Sequence, residues 1–171
     1  MKNIFFFIGM PGTGKTFWGE KVSASFGYDF VDLDWYIEEK EGKNIASIFA
    51  DDGEDHFRRL EQQALHELVD KAGESKPLVI ACGGGTPCFL DNLHLMLQQG
   101  TVVYLRAALD TLVDHLCRED NFRPLLEAGM MHEKLYHLME HRVAFYEQAH
   151  YIVDVENLSV ATFGEIIHSH V

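Results

Sequence analysis

Basic residues are scarce in this chain. Its 171 residues include 14 lysines and arginines against 27 aspartates and glutamates, which gives a formal net charge of −13. A negative field of this size repels nucleic acid and anionic lipid, so neither is expected as a partner. An anionic substrate can still bind, but only where basic side chains create a local positive pocket. Each arginine is therefore informative.

Long apolar runs are absent from the sequence, and cysteines are few. No run approaches the roughly 18 residues that suggest a membrane span. The apolar residues 3–8 are too few for a secretory signal and lead directly into a glycine-rich segment. The cysteines, at positions 82, 88 and 117, lack the spacing of a disulfide framework. These features predict a cytoplasmic protein without a membrane anchor.

Short apolar runs alternate with stretches of helical character. The predicted strands are Ile4–Ile8, 30–31, 78–82, 102–105 and 151–155. The predicted helices are Lys15–Phe26, 55–71, 90–98, 109–117, 132–148 and 160–168. Strands that are apolar on consecutive residues are typical of a sheet buried on both faces. The alternation predicts a single α/β domain over residues 1–171, with a parallel sheet between two helical layers and its ligands beyond the carboxyl ends of the strands.

The first strand runs into a phosphate-binding motif. Residues 9–16, here termed the phosphate loop, match the pattern G-x-x-x-x-G-K-[ST] and open a helix. Glycines let backbone N–H groups turn inward around an anion, and the helix start adds its positive dipole. Lys15 can then reach the β- and γ-phosphates, and the Thr16 hydroxyl can bind Mg²⁺. The alternative is a glycine turn with an incidental lysine.

Two carboxylates, Asp32 and Asp34, follow the second predicted strand. Their spacing places both side chains on the same side of an extended chain. One of these acids can hold the hydrated Mg²⁺, and the other can face an acceptor hydroxyl. The alternative is a solvated strand end in which Asp34 caps the helical segment 35–40. The nearby phosphate loop favours the functional interpretation.

Two arginines lie on predicted helices. Arg58 stands three residues before Glu61, which can fix the direction of its guanidinium group. An oriented guanidinium suits a planar carboxylate, although an ordinary surface ion pair is the alternative. Arg142 lies on a later helix, four residues before Tyr146. Taken alone, Arg58 is more commonly part of such a surface pair, and Arg142, like Arg123 below, is equally well explained as a surface residue.

A third arginine lies in a polar stretch, residues 118–131, which contains Pro124 and Gly129 and is interpreted as a mobile lid. Arg123 in this lid can close over a transferring phosphoryl group. Elsewhere, the glycine triplet at positions 83–85 follows the third strand. Three glycines there allow a ligand to touch the backbone, and a flexible turn is the alternative.

Together these motifs resemble the shikimate kinase family along nearly the whole chain. The shared landmarks are the phosphate loop, D-x-D at 32–34, F-R-x-x-E at 57–61, G-G-G at 83–85, R-P-L-L at 123–126 and the stretch 142–149. The resemblance implies phosphoryl transfer from MgATP to the 3-hydroxyl of shikimate, a step towards chorismate and the aromatic amino acids. It also implies a five-stranded parallel sheet of the nucleoside-monophosphate-kinase type.

The resemblance assigns roles to individual residues. The residues implied in catalysis are Lys15, Asp34 and Arg123. Those implied in ATP binding are Gly12, Thr13, Gly14, Lys15, Thr16, Phe17, Arg118 and Arg123. Shikimate is expected on Asp34, Arg58, Gly84 and Arg142, with the two arginines holding its carboxylate. Thr16 and Asp32 are expected at Mg²⁺. A monomer is expected, with shikimate and ATP as the only partners.

The sequence departs from the family pattern at two places. Phe17 and Trp18 stand where the family often has a small or hydroxylated residue, and both are expected to pack. The segment 156–159 offers no basic residue to the adenine. Two other functions stay open at this point. One is a related small-molecule kinase such as gluconate kinase, and the other is a shikimate-kinase-like binding protein without activity.

Overall fold

The computed structural model of this chain describes residues 3–72, 76–119 and 126–169. In these ranges the chain forms five strands: β1 (Ile4–Ile8), β2 (Asp29–Asp32), β3 (Leu78–Ala81), β4 (Thr101–Arg106) and β5 (Tyr151–Asp154). The α-helices there are α1 (Lys15–Phe26), α2 (Leu33–Glu41), α3 (Ile45–Asp52), α4 (Glu54–Lys71), α5 (Asn92–Gln99), α6 (Leu109–Glu119), α7 (Leu126–Tyr146) and α8 (Val160–His168). Short 3-10 turns occur at Thr86–Cys88 and Val155–Asn157.

The strands form one parallel sheet in the order β2-β3-β1-β4-β5. This confirms the prediction of an α/β fold built on a five-stranded parallel sheet with flanking helices. Every residue of the central strand β1 is buried, because helices cover the sheet on both faces. Phe6 and Ile8 join the core on one face, and Phe5 and Phe7 join the core on the other. A strand covered on both sides has no solvent-facing position, which explains its continuous apolar sequence.

Helices α7 and α3 differ most from the predicted helices. Helix α7 begins at Leu126 rather than at position 132, so residues 126–131 of the expected lid are helical. Gly129 does not interrupt it, because one helical glycine costs only about 1 kcal/mol and the neighbouring Leu, Glu, Ala and Met residues are good helix formers. Helix α3 was not predicted. It starts where the side chain of Asn44 caps the backbone N–H of Ser47 at 2.8 Å.

Three sheet neighbours bring the predicted motifs to one edge. The phosphate loop follows β1, Asp32 ends β2, and the segment 82–85 follows β3. The carboxyl ends of adjacent parallel strands lie side by side, so these segments meet although they are far apart in sequence. Within the described ranges, the helices are too short or too polar to span a lipid bilayer. All three cysteines are unpaired thiols.

Candidate functional site

A cavity of about 290 Å³ opens beyond the carboxyl ends of β1, β2 and β3. Its wall is formed by the phosphate loop together with Phe17, Asp32, Asp34, Cys82, Gly83 and Gly84. The cavity has a size suited to a small polar ligand or to part of a larger one. The structure thus gathers around one space the loop, the carboxylate pair and the first two glycines of the triplet that the sequence had singled out.

The phosphate loop adopts the conformation that its glycines permit. Gly9, Gly12 and Gly14 have positive φ angles of 147°, 86° and 82°, and α1 begins directly afterwards. The Lys15 ammonium group donates to the carbonyl oxygens of Gly9 and Met10, each at 2.9 Å. The start of α1 and the backbone N–H groups of the loop therefore offer an anion site, with the Lys15 ammonium group beside it.

Burial lowers the pKa of Lys15 to about 8, although part of the side chain keeps contact with solvent through the cavity. A bound phosphate would raise this pKa again, because an adjacent negative charge favours the protonated amine. Lys15 is therefore suited to act as a cation when an anion occupies the loop.

We expect Lys15→Ala to lower turnover by at least about a hundredfold. The change removes a positive charge placed where negative charge develops during phosphoryl transfer, and such electrostatic groups have effects of this size. A coupled assay of ADP release measures it. Lys43→Ala is the matched control, because Lys43 forms only exposed ion pairs with Asp51 and Asp52. Unchanged turnover of Lys15→Ala would contradict the assignment of the loop.

Thr16 and Asp32 contact each other at the cavity wall. The Thr16 hydroxyl donates to Asp32 Oδ2 at 2.5 Å. The other oxygen, Oδ1, accepts from the backbone N–H groups of Asp34 and Trp35 at 3.0 and 3.2 Å, so Asp32 is the N-cap of α2. These bonds fix the carboxylate in place. A hydroxyl and a carboxylate beside a phosphate site are oxygen ligands of the kind that Mg²⁺ prefers, directly or through water.

The position of Asp34 differs from the sequence argument. The strand ends at Asp32, and Asp34 lies in the first turn of α2. The placement of both side chains on an extended chain was wrong, and the alternative in which Asp34 caps this helix is wrong too, because Asp32 makes the cap and turns the backbone. Both carboxylates nevertheless line the cavity. Asp34 reaches the cavity from the first turn of α2 and not from an extended strand.

Asp34 holds an unsatisfied acceptor. Its Oδ1 is buried and accepts no hydrogen bond from the part of the chain that the structure describes. Burial, and after it the negative charges of Asp32 and Glu61, raise the pKa of Asp34 to about 6, with Lys15 partly opposing the shift. A buried acceptor without a partner costs roughly 1–3 kcal/mol. A hydroxyl group of a ligand would satisfy it.

The raised pKa predicts how Asp34 affects stability. Because its pKa is 3.8 in an exposed setting and about 6 in the folded protein, folding takes up a proton between these values. Its contribution to the free energy of unfolding therefore falls as pH rises through this window. At pH 8 we expect Asp34→Asn to raise the free energy of unfolding by roughly 1–3 kcal/mol, since one pKa unit is about 1.4 kcal/mol.

Denaturant unfolding of the ligand-free protein at several pH values measures this gain. We expect the gain to shrink as the pH falls and to vanish near the exposed pKa of 3.8. The exposed Asp70, replaced by Asn, serves as control. If Asp34→Asn is no more stable than the parent at pH 8, the ionised carboxylate of Asp34 does not destabilise the folded protein.

Arg58 is held by a buried chain of polar contacts. Its side chain is 11% exposed, and Nη1 donates to Glu61 Oε2 at 2.9 Å. The other oxygen of the fully buried Glu61 accepts from the Thr86 hydroxyl at 2.5 Å. The guanidinium also lies 4.0 Å from the ring centre of Phe89. The contact with Glu61 that the spacing predicted is present, and Thr86 and Phe89 add to it.

Glu54 occupies another edge of the same guanidinium. Its Oε1 accepts from Arg58 Nη2 at 3.2 Å and from Nε at 3.4 Å. The Glu54 side chain is 53% exposed, whereas that of Glu61 is almost fully buried. The buried pair fixes the direction of Arg58, and the exposed carboxylate is the one that an anionic ligand can displace.

The glycine triplet lies next to all three candidate substrate-binding side chains. A Cβ atom built on Gly83 would lie 3.2 Å from Asp34 Oδ1, one on Gly84 would lie 3.0 Å from Arg142 Nη1, and one on Gly85 would lie 2.6 Å from Arg58 Nη2. Space, rather than a positive φ, is what these positions require. The triplet thus marks a point at which Asp34, Arg58 and Arg142 converge.

Tyr146 fixes the triplet to α7. Its fully buried side chain donates a hydrogen bond from the hydroxyl to the Gly84 carbonyl oxygen at 2.6 Å. Arg142 lies one turn earlier on the same helix, so this bond also fixes the position of Arg142 over Gly84. The sequence had shown only the four-residue spacing of Arg142 and Tyr146, and it gave no sign of the Gly84 partner.

Several predicted ATP contacts lie elsewhere or outside the described residues. Arg118 is an exposed residue near the end of α6, 3.9 Å from Asp114, and it does not line the cavity. Arg123 lies outside the described residues. Phe17 stands at the cavity wall with 58% of its surface exposed, whereas Trp18 packs against Phe163. The Phe17 ring also meets the Trp18 ring edge to face at 5.3 Å, so both aromatic residues pack as expected, although Phe17 stays exposed.

Comparison with known proteins identifies the family. The family model for shikimate kinase matches residues 11–170. A shikimate kinase of Azobacteroides pseudotrichonymphae is 36% identical over 163 residues, which cover 94% of each chain. The crystal structure of a shikimate kinase from Bacteroides thetaiotaomicron superimposes with a TM-score of 0.87 at 33% identity, over 96% of this chain and 98% of the other. A shikimate kinase from Acinetobacter baumannii in complex with shikimate gives 0.84 at 32% identity, over 98% and 93%.

The gluconate kinase alternative receives less support. A gluconokinase structure from Sinorhizobium meliloti superimposes with a TM-score of 0.53 at 17% identity, over 96% of this chain and 86% of the other, and that likeness concerns the fold alone. The family model, by contrast, covers residues 11–16 of the phosphate loop, the carboxylate pair, Arg58 and the glycine triplet. The loop, both carboxylates and the first two glycines line the cavity, and Arg58 lies beside Gly85. This chain therefore belongs to the shikimate kinase family.

Proposed function

We propose that this chain transfers the γ-phosphoryl group of ATP to the 3-hydroxyl of shikimate, which yields shikimate 3-phosphate and ADP. One observation carries the proposal. Across three consecutive glycines, a carboxylate with a free acceptor and two guanidinium groups converge beside a phosphate-binding loop. A substrate with both a hydroxyl and a carboxylate matches this arrangement, and family membership supports it.

The nucleotide would bind with its phosphates on the loop. Backbone N–H groups of residues 12–16 and the start of α1 would hold the phosphate oxygens, and Lys15 would exchange its bonds to loop carbonyls for bonds to phosphate. Thr16 and Asp32, which already contact each other, would hold Mg²⁺. When bound, this ion neutralises negative charge on the phosphates. The described residues contain no group of three or more protein metal ligands, as is usual where phosphates and water complete the coordination.

Asp34 would hold the acceptor hydroxyl. Its buried Oδ1 lacks a partner among the described residues, so it can accept a hydrogen bond from this hydroxyl. With a pKa of about 6, the carboxylate is ionised at neutral pH and still basic enough to take the proton as the oxygen attacks the γ-phosphorus. Phosphoryl transfer has a loose transition state, so the orientation of the hydroxyl is a major part of this role.

Arg58 and Arg142 would bind the substrate carboxylate from two sides of the triplet. The protein carries a net charge of −13, so an anion needs such a local concentration of positive charge. Displacement of Glu54 from Arg58 would free the Nη2 and Nε atoms for the ligand. A guanidinium edge pairs with both oxygens of a carboxylate, which gives direction as well as affinity.

A coupled assay of ADP release over a panel of acceptors tests the proposal. The panel contains shikimate, the amide of shikimate, gluconate and water alone, and Lys15→Ala serves as the inactive control. We expect turnover with shikimate and little with the others. Preferred use of gluconate would favour the gluconate kinase alternative. Shikimate binding without any ADP release would indicate a binding protein.

Further properties stay proposals. We propose a cytoplasmic monomer, and the three unpaired thiols, which fit a reducing compartment, support the location. The acidic net charge supports the absence of a nucleic acid partner. The roles of Arg118 and Arg123 in holding ATP from the segment 118–131 rest on the family resemblance.

A further inference from the structure

The phosphate loop has a contact with α6 that neither the motif nor the family resemblance assigned. His115, in the middle of this helix, places its Nδ1 atom 2.7 Å from the Gly12 carbonyl oxygen, across 103 residues of sequence. The side chain of His115 is half-buried. A Cβ atom built on Gly12 would lie 3.1 Å from Leu116 Cγ and 3.2 Å from the Leu112 carbonyl oxygen. Helix α6 therefore packs directly against the phosphate loop at Gly12.

The acceptor in this contact determines which nitrogen of the His115 imidazole carries the proton. A carbonyl oxygen only accepts hydrogen bonds, so the proton must lie on His115 Nδ1. The bond holds one end of the peptide group between Gly12 and Thr13. At its other end, the Thr13 N–H approaches the Met10 carbonyl oxygen at 3.4 Å. The Gly12–Thr13 peptide plane is thus held from both sides.

The orientation of the Gly12–Thr13 peptide group matters because it decides whether a carbonyl oxygen or an N–H group faces the bound anion. A carbonyl oxygen that turns towards a phosphate repels it, whereas the N–H groups attract it. The carbonyl oxygens of Gly9 and Met10 accept from Lys15, and that of Gly14 accepts from the Trp18 N–H within the first turn of α1. When Lys15 moves to a phosphate, these first two bonds are lost. The bond from His115 to Gly12 does not depend on Lys15 and can persist.

We propose that His115 is a positioning residue for the nucleotide, which keeps the Gly12 carbonyl turned towards α6 and away from the bound phosphates. The inference rests on the proposed kinase function. His115 itself need not touch the nucleotide, because it acts through the orientation of one peptide group. Glycine at position 12, with its φ of 86°, leaves this peptide easy to rotate, so an external donor has a clear effect.

Three substitutions separate this role from simple packing. His115→Asn places an amide nitrogen near the position of Nδ1, so it can keep the bond. His115→Gln places its amide one bond further away, and His115→Leu fills the space without a donor. His137→Leu is the matched control, because His137 lies exposed on α7 and contacts only Glu133 and Glu140 in the described ion pairs.

We expect the affinity for ADP, measured by calorimetry, to depend on whether the side chain at position 115 can donate a hydrogen bond to the Gly12 carbonyl oxygen. His115→Leu should weaken it roughly tenfold, which corresponds to about 1.4 kcal/mol and to the loss of one hydrogen bond. His115→Asn should stay within about twofold of the parent, and His115→Gln should resemble the leucine variant. The KM for ATP should rise in the same order, while the KM for shikimate and the affinity for shikimate stay unchanged.

Two results would overturn the inference. One is equal ADP affinity in the asparagine, glutamine and leucine variants, which would show a packing role only. If the leucine variant does not fold by circular dichroism, the asparagine and glutamine pair still decides. The other is a ¹⁵N spectrum in which neutral His115 carries its proton on Nε2 alone. Failure of the parent protein to bind ADP would instead contradict the proposed function, so the two failures are distinct.

Discussion

Asp34→Asn should reduce phosphoryl transfer to shikimate by roughly a hundred- to ten-thousandfold, the range for loss of a general base. Asparagine keeps the size of the side chain but can neither take a proton nor present the charged oxygen now left unsatisfied at Oδ1. The affinity for ATP should change little, because Asp34 is separate from the loop bonds of Lys15 and from the Thr16–Asp32 contact. The coupled ADP assay and calorimetry measure the two quantities.

The pH profile of the parent enzyme gives an independent check of Asp34. Since its pKa is about 6, the carboxylate becomes protonated as the pH falls through that value. We therefore expect kcat/KM for shikimate to fall below about pH 6. Asp70→Asn should retain the parent's activity and profile. Activity of Asp34→Asn within about threefold of the parent, well below the effect of a base, would show that another group holds the hydroxyl.

Arg58→Ala should weaken the use of shikimate by roughly thirty- to several-thousandfold. Removal of one partner from a charged pair in a partly desolvated site costs about 2–5 kcal/mol, and about 1.4 kcal/mol is a factor of ten. The change would also leave the fully buried Glu61 with Thr86 as its one remaining hydrogen-bond partner among those described. Arg142→Ala should have an effect in the same range, and the affinity for ATP should change little in both.

The neighbouring residue provides a matched control. Arg59 lies on the same helix but is exposed, so Arg59→Ala should leave the KM for shikimate unchanged. Lysine at position 58 should restore little activity, because it lacks the planar fork that contacts Glu61 and a ligand together. A loss of stability alone would lower the amount of folded enzyme without raising KM, so thermal unfolding is measured in parallel.

The amide of shikimate distinguishes loss of carboxylate recognition from a nonspecific loss of activity in the arginine variants. Because the amide carries no negative charge, it should be a poor substrate for the parent. It should also be much less sensitive to Arg58→Ala and Arg142→Ala than shikimate is. If the amide is used as well as the acid, or if both variants keep normal shikimate kinetics, the two guanidinium groups do not bind a carboxylate.

The sequence by itself determined the elements whose signals are local. The phosphate loop was predictable because positive φ angles at Gly9, Gly12 and Gly14, a following helix and a nearby ammonium group are properties of eight consecutive residues. The parallel sheet was predictable because strands covered on both faces are continuously apolar. The pair of Arg58 and Glu61 was predictable because three residues is close to one helical turn.

Where one element ends and the next begins was harder to predict. The backbone at Asp32 leaves the strand only because its own carboxylate caps α2, and this moved Asp34 from an extended position to a helical one. Helix α7 continues through Gly129, although the polar composition of the segment, Pro124 and Gly129 together argued for a loop. Both cases depend on a balance of about 1 kcal/mol between local alternatives, which residue patterns do not resolve.

Only the tertiary structure decided which distant groups support the site. Thr86 reaches Glu61 across 25 residues, Tyr146 reaches Gly84 across 62, and His115 reaches Gly12 across 103. No spacing rule connects these residues, because their contacts depend on the strand order β2-β3-β1-β4-β5 and on the helices packed against it. The physical reason is that a hydrogen bond needs its two atoms within about 3 Å, and only the packed sheet and helices bring such separated side chains to that distance.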